Sequence, residues 1–442
     1  MSNSLETVKE NLFYSRAVEA AIWGMPAVNF DAMRQAYFRD LKAKYNDIAY
    51  YTHPADWKCQ ITTPNHTTLY GYVFHNLEDG PVVVEVPRIE GVGFFSTFDD
   101  AWNRGLMDLG PKGFDEGKGC KYFLMGPGYT GEVPEGYVGV TSPTNNVYWI
   151  PRLTPVTFSS EDVAYAIAYF KKFKIYPFAT PEHTGNYIEI RDNVLEGIAN
   201  YDISFYESLA RVIKEEPVEE KDLVAMGQAH MIGIGKAIEF NPDEKQKEIL
   251  EKAIVDAHTY MISKFEEGVS WWPERKGWVR TTTKEMIMSN LTTILDGRML
   301  IDDRAALFYG GCAVVKNPAP NQYLKSYWDS NGEKLNGSNN YKLHIPANVP
   351  TTQFWGVNVY ALNTAGFLRD VSKAGADSIN CVANSDGSWD VYFGPEAPVG
   401  KESNWIPTIE GKNFFVFFRN YGADKSVFDR TSTWIIEDIE KI

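Results

Sequence analysis

Leu69-Tyr70-Gly71-Tyr72-Val73-Phe74 alternates with a period of two. That is the period of a β-strand, whose successive side chains point to opposite faces. Working outward, Pro81-Val82-Val83-Val84-Glu85-Val86-Pro87 is a short apolar run closed by prolines, and Gly93–Phe98, Tyr122–Met125 and Val147–Ile150 follow. Gly and Pro separate these runs at short intervals, which predicts a β-sandwich over residues 49–155. The pattern returns near the end in Phe354–Tyr360, Trp389–Phe393, Phe414–Phe418 and Thr433–Ile436. Turns at Asn331-Gly332, Asn336-Gly337 and Asp386-Gly387 accompany it, so a second sandwich is expected over 319–442.

Between the two the period changes to about 3.6. Ser159 or Ser160 caps a helix through Phe173, and another runs from Phe205 to Lys214. Asn241-Pro242-Asp243-Glu244 opens a third that continues to Glu267, with Asn241 as its cap. Asp302-Asp303-Arg304 opens a shorter one. A helical domain is therefore expected over 156–318. Residues 1–48 read as helices on the first sandwich: Asn3 and Glu6 form a capping box, Gly24-Met25-Pro26 breaks the helix, and a second runs from Phe30 to Tyr45. The expected fold class is mixed, mainly β, with two sandwiches around a helical segment.

The chain of 442 residues exceeds the usual size of one hydrophobic core, so two or three domains are expected. A formal net charge of −15 repels phosphate backbones and anionic lipid, which excludes nucleic-acid partners, and it suits a neutral or cationic ligand. Cys59, Cys120, Cys312 and Cys381 are scattered without a C-x-x-C and read as free thiols. No run approaches the ~20 apolar residues of a membrane span. The start, Met1-Ser2-Asn3-Ser4-Leu5-Glu6, has no basic or apolar leader region, so the chain as given reads as cytoplasmic, or as periplasmic or secreted where a leader has been removed.

No P-loop, dinucleotide turn, nucleophile elbow or zincin motif occurs. No cofactor is evident. The most suggestive stretch is Thr62-Thr63-Pro64-Asn65-His66-Thr67-Thr68-Leu69-Tyr70, a polar loop feeding an aromatic strand. Asn65 and His66 are candidate catalytic groups, the imidazole as acid or base. The bland reading is that Asn65 and the threonines satisfy turn backbone groups. Asp99-Asp100-Ala101-Trp102-Asn103-Arg104 adds Asp99 and Asp100 as candidate acids, or as oxygen ligands of a divalent cation, with Trp102 and Arg104 beside them. Against this, neighbouring residues on a strand face opposite ways, and an Asp near an Arg is more often a structural ion pair. In the last domain Trp355, Tyr360, Trp405 and Arg419, with Tyr70 from the first, are candidate ligand-binding residues for a sugar or an apolar acid. The same residues make an ordinary sandwich core.

The chain resembles the bacterial family that joins two domains of unknown function, 1254 and 1214. The first half carries Ala20-Ala21-Ile22-Trp23-Gly24-Met25-Pro26, Pro64-Asn65-His66-Thr67-Thr68-Leu69-Tyr70 and Phe98-Asp99-Asp100-Ala101-Trp102-Asn103. The second half carries Tyr327-Trp328-Asp329-Ser330-Asn331-Gly332, Trp355-Gly356-Val357-Asn358-Val359-Tyr360 and Arg419-Asn420-Tyr421. The resemblance implies an immunoglobulin-like sandwich, a helical domain and a jelly-roll-like sandwich, in that order. It implies no settled activity. Thr67 stands where the family motif has Asp, and Gly422 where it has Pro. Three functions are therefore carried forward. One is a hydrolase-like enzyme at Asn65, His66 and Asp100. One is a carbohydrate or small-molecule binder on the last aromatic sheet face. One is a self-associating assembly protein.

Overall fold

The structure, a computed structural model, describes residues 4–157, 159–272, 275–316 and 321–442. The expected cap Asn3 and the expected boundary at 318/319 lie outside the described residues. Helix and strand are nearly balanced, at about 27% and 28%, so the fold is mixed rather than mainly β.

Four sheets form two packed pairs. In the first pair, a seven-stranded sheet built around Leu69–Asn76, Gly93–Asp100 and Asn146–Trp149 faces a four-stranded sheet containing Val82–Val86 and Cys120–Met125. Strand alternation decides the filling: Leu69, Val73, Phe98 and Trp149 meet Val82, Val84, Tyr122 and Leu124. In the second pair, a six-stranded sheet containing Gln322–Ser326, Phe414–Ala423 and Thr351–Ala361 faces a four-stranded sheet containing Tyr341–Ile345 and Trp389–Gly394. Leu324, Val357, Val416 and Phe418 meet Leu343, Val391 and Phe393 there. Neither pair is purely antiparallel: Ile48–Tyr51 runs parallel to Tyr187–Ile190, and Trp389–Gly394 parallel to Trp405–Pro407.

The middle block is not wholly helical. Lys174–Pro177 pairs with Val82–Val86 and completes the first sheet pair, while Ser270–Trp272 and Arg275–Arg280 extend the second. These strands are too short for a period to show. Thr433–Ile436 forms no strand, although Ile436 is buried. The helix Glu244–Glu266 is capped by Asp243, in a box with Gln246, rather than by Asn241.

The expected break at Gly24-Met25-Pro26 does not occur. One helix runs from Leu5 to Leu41, with Ser4 accepting from the Thr7 amide as its cap. Proline inside a helix removes one amide donor and crowds the preceding turn. Here the surrounding carbonyls are bonded from outside, by Arg304 to Trp23 O at 2.7 Å and by Asn103 to Pro26 O at 2.6 Å. Gly24 lets the helix Ile203–Glu215 come close, since a Cβ there would lie 2.7 Å from Leu209. Tertiary packing thus outweighs the local break. No helix among the described residues is long and apolar enough to cross a membrane.

The long helix lies between the sheet pairs. The outward faces of both, Tyr72, Phe74 and Tyr148 on one side and Tyr360, Phe415 and Phe417 on the other, join one apolar cluster with it. Beside that cluster the two outward faces part and leave a cleft.

Candidate functional site

The loop that precedes Leu69–Asn76 is bolted to the second half. Thr63 N donates to Ala365 O at 2.7 Å, Tyr360 Oη to Pro64 O at 2.5 Å, and Asn65 Nδ2 to Tyr421 Oη at 2.6 Å. Thr63 sits at φ 42°, a costly value for a β-branched residue. Its hydroxyl, amide and carbonyl are all engaged, by Gly310 O, Ala365 O and Arg419, which holds that geometry.

His66 is a second bolt. Its Nε2 meets Asp377 Oδ2 at 2.9 Å, and its Nδ1 meets Asn358 Nδ2 at 2.7 Å. Arg419 fixes which way the amide points, because a guanidinium only donates and its NH1 meets Asn358 Oδ1 at 2.7 Å. Asn358 Nδ2 therefore faces His66, Nδ1 must accept, and the imidazole proton sits on Nε2 toward Asp377. Burial pushes the Asp377 carboxyl up, but the bonds from His66 and Asn380 outweigh it and hold the carboxyl down at about 2. Both imidazole nitrogens are engaged, so His66 fastens the halves and has no free lone pair for proton transfer.

The cleft between the halves has a volume of about 1180 Å³. Two sheet rows face it. On the first sheet Arg152 stands directly between Tyr70 and Phe95 in register, with its guanidinium 5.5 Å from the Phe95 ring. On the second, Arg419 pairs with Tyr323, and its guanidinium lies 5.4 Å from that ring. Asn65, Tyr421, Cys312, Phe354 and Phe417 also line the space, and Trp271 and Arg280 stand at another edge. Lys112, Arg152, Arg280 and Arg419 line the cleft, and no Asp or Glu does so among the described residues.

The two central arginines differ. Arg419 is 4% exposed and three of its five N–H groups are used: NH1 on Asn358 Oδ1 and Tyr360 Oη, NH2 on Thr63 O. Arg152 makes one long bond, NH2 to Ala313 O at 3.4 Å. Tyr70 Oη accepts from the Asn65 amide at 3.0 Å, and burial, opposed by the two arginines, pushes its hydroxyl up to about 12. Burial likewise pushes the Cys312 thiol up to about 11, so near neutral pH it is no thiolate nucleophile.

The expected hydrolytic constellation does not assemble. Asn65 faces the cleft, His66 is turned to Asp377, and Asp100 lies elsewhere, closing a turn. Asp100 accepts from the amides of Trp102 and Arg104 at 2.8 and 2.9 Å and from Arg104 Nε at 2.6 Å. Trp102 packs on Trp23 of the long helix, 4.8 Å between ring centroids. Asp99 is buried with neither oxygen hydrogen-bonded. The open aromatic face expected in the last domain is closed: Trp355 belongs to the core of the second pair, Tyr360 stacks on Phe367, and Trp405 bonds Gly394 O at the strand edge. Among the described residues no group of three or more His, Cys, Asp or Glu is placed to hold a metal ion.

Of the residues expected from the sequence, Asn65, Tyr70 and Arg419 line the cleft; Arg152, Tyr323 and Arg280, which also line it, were not singled out. A signal existed for Arg152, since it alternates with the buried Leu153 and so must face away from the core.

Residues 45–177 match the family described as "Protein of unknown function (DUF1254)", and residues 320–425 match "Protein of unknown function (DUF1214)". No curated protein matches the chain. Among solved structures, the VPA0106 protein from Vibrio parahaemolyticus shares the fold at a TM-score of 0.57 and 19% identity, over 97% of this chain and 100% of that one. An uncharacterized protein from Burkholderia cenocepacia aligns at 0.44 and 12%, over 97% and 94%. The chain belongs to the family that joins these two domains of unknown function, 1254 before 1214.

Proposed function

We propose that the cleft between the sheet pairs binds a small organic anion with a largely apolar body. One observation carries this reading. Among the described residues, a chain of net charge −15 places four cations and no carboxylate around its cleft. Against such a background, a cationic hollow with low-dielectric walls focuses potential and concentrates anions. The walls supply Phe95, Phe354, Phe417, Leu307 and Ile287, which suit an apolar body, and the volume suits a drug-sized molecule. The bolts at Thr63, Asn65 and His66 hold the two walls in place, so the site needs little ordering on binding.

The test is isothermal titration with three probes of one body: dodecanoate, dodecanol and dodecylamine, below their aggregation limits. The acid is expected to bind at least tenfold tighter than the amine, with affinity falling as salt rises. Equal affinity for amine and acid, or binding of none of the three, refutes the reading.

A further inference from the structure

At the pole of the cleft where the two sheet rows meet, donors outnumber acceptors. The Arg152 guanidinium carries five N–H groups and spends one of them, on a single long bond. The Tyr70 hydroxyl accepts from Asn65, and its own proton has no acceptor among the described residues. Tyr421 accepts from Asn65 as well. Asp99 is the nearby carboxyl, but it makes no ion pair or hydrogen bond with Arg152, and burial raises its carboxyl above the ordinary range. Arg419 behind this group spends three N–H groups on Asn358, Tyr360 and Thr63, against one for Arg152.

From these contacts we infer that Arg152 and Tyr70 form a head-group subsite for a carboxylate, with Arg152 as the forked donor and the Tyr70 hydroxyl as the second. The inference rests on the cleft being a ligand site. A group that meets only donors must itself be an acceptor, which excludes an amine and disfavours an alcohol. At this pole Arg152 presents a free guanidinium fork, and one carboxylate head fills it. The planar fork of arginine pairs two N–H groups with the two oxygens of a carboxylate. Phe95 covers one side of the guanidinium and Tyr70 stands on the other, so the head is fixed in direction and the apolar body must run away from the first sheet, toward Phe354 and Phe417.

The experiment compares dodecanoate, dodecanol and dodecyl phosphate on the intact chain and on Arg152→Met, Arg152→Lys, Tyr70→Phe and Arg280→Met. Circular dichroism and melting confirm that each variant is folded. Arg152→Met is expected to lose at least tenfold in dodecanoate affinity and to bind dodecanol unchanged. Arg152→Lys keeps the charge without the fork and should lose threefold or more. Tyr70→Phe should lose about threefold to tenfold, since one hydrogen bond to a charged group is removed. Arg280→Met removes a cleft cation away from the head group, so it should weaken dodecanoate by less than threefold, well short of the loss in Arg152→Met. Dodecanoate binding that survives Arg152→Met overturns the subsite and leaves the cleft standing, as does a preference for dodecyl phosphate in the wild-type chain. Failure of every probe on every variant removes the cleft reading itself.

Discussion

Asp99 is 0% exposed, and neither of its oxygens is hydrogen-bonded. Burial raises its carboxyl well above the ordinary range, with Arg152 opposing. The sign of the consequence follows by linkage. The unfolded chain releases this proton near 3.8, the folded chain keeps it, so the folded state loses ground as pH rises above that value. Asp99→Asn keeps shape and removes the titration. Urea unfolding should find the variant level with wild type at pH 3.5 and more stable at pH 8, gaining up to about 1.4 kcal/mol per pH unit below the folded titration point. A wild type that is the more stable at pH 8 would mean an ionised, paired carboxylate instead. Residue chemistry was the least legible layer of the sequence. Asp99, His66 and Asp100 have the right atoms for catalysis, yet among the described residues Asp99 has no hydrogen-bond partner, Asp100 is spent on Arg104, and His66 on Asp377 and Asn358, both more than 290 positions away. Spacing along one chain cannot report such pairings. Asn65 could be placed beside a cleft because a polar loop feeds an aromatic strand there, whereas Arg419 stood out only as one of several candidates on the last domain's aromatic face.

Among elements, the joint at His66 depends on what the facing strands leave out. Gly375 lies on the edge strand Gly375–Asp377, and a Cβ there would sit 2.3 Å from His66 Nδ1 and 2.6 Å from Asn358 Nδ2. Gly375→Ala must expel the imidazole. It breaks the His66–Asp377 and His66–Asn358 bonds and frees Asn358 to turn, which loosens Arg419 as well. Overpacking and buried unpaired polar groups together should cost about 3 kcal/mol in denaturant unfolding. A loss below about 1 kcal/mol would show that the bolt contributes little. The same glycine explains a limit of pattern reading. Long strands such as Leu69–Asn76 and Phe414–Ala423 announced themselves as aromatic and β-branched runs, because one face of each fills its own sheet pair and the other the shared cluster. The helix Leu5–Leu41 announced its two ends but not its continuity, because it is buried nearly all round from Ala20 to Tyr37, where Arg304 and Asn103 bond the carbonyls of Trp23 and Pro26 from outside. Short strands such as Lys174–Pro177 offer four residues, too few for any period.

For the whole molecule, net charge does not report the local field. The chain carries −15, while the cleft lining among the described residues has cations and no carboxylate, so composition suits a neutral or cationic ligand and the local field suits an anion. Size misleads in a related way. At 442 residues two or three independent cores are expected, and each sheet pair does have one. The largest apolar cluster belongs to neither pair alone. It takes Tyr72, Phe74 and Tyr148 from the first, Tyr327, Phe415 and Phe417 from the second, and the long helix between them. Separating the halves would expose those rings and leave the polar bolts at Thr63, Asn65 and His66 without partners. Calorimetry should therefore give one endotherm whose van't Hoff and calorimetric enthalpies agree, where two independent halves would give two. A ligand in the cleft touches both walls and should raise that single midpoint without splitting it, by an amount that grows with the logarithm of its concentration. Two transitions, with only one moved by dodecanoate, would place the ligand on one half and show the shared cluster to be weaker than the cores it joins.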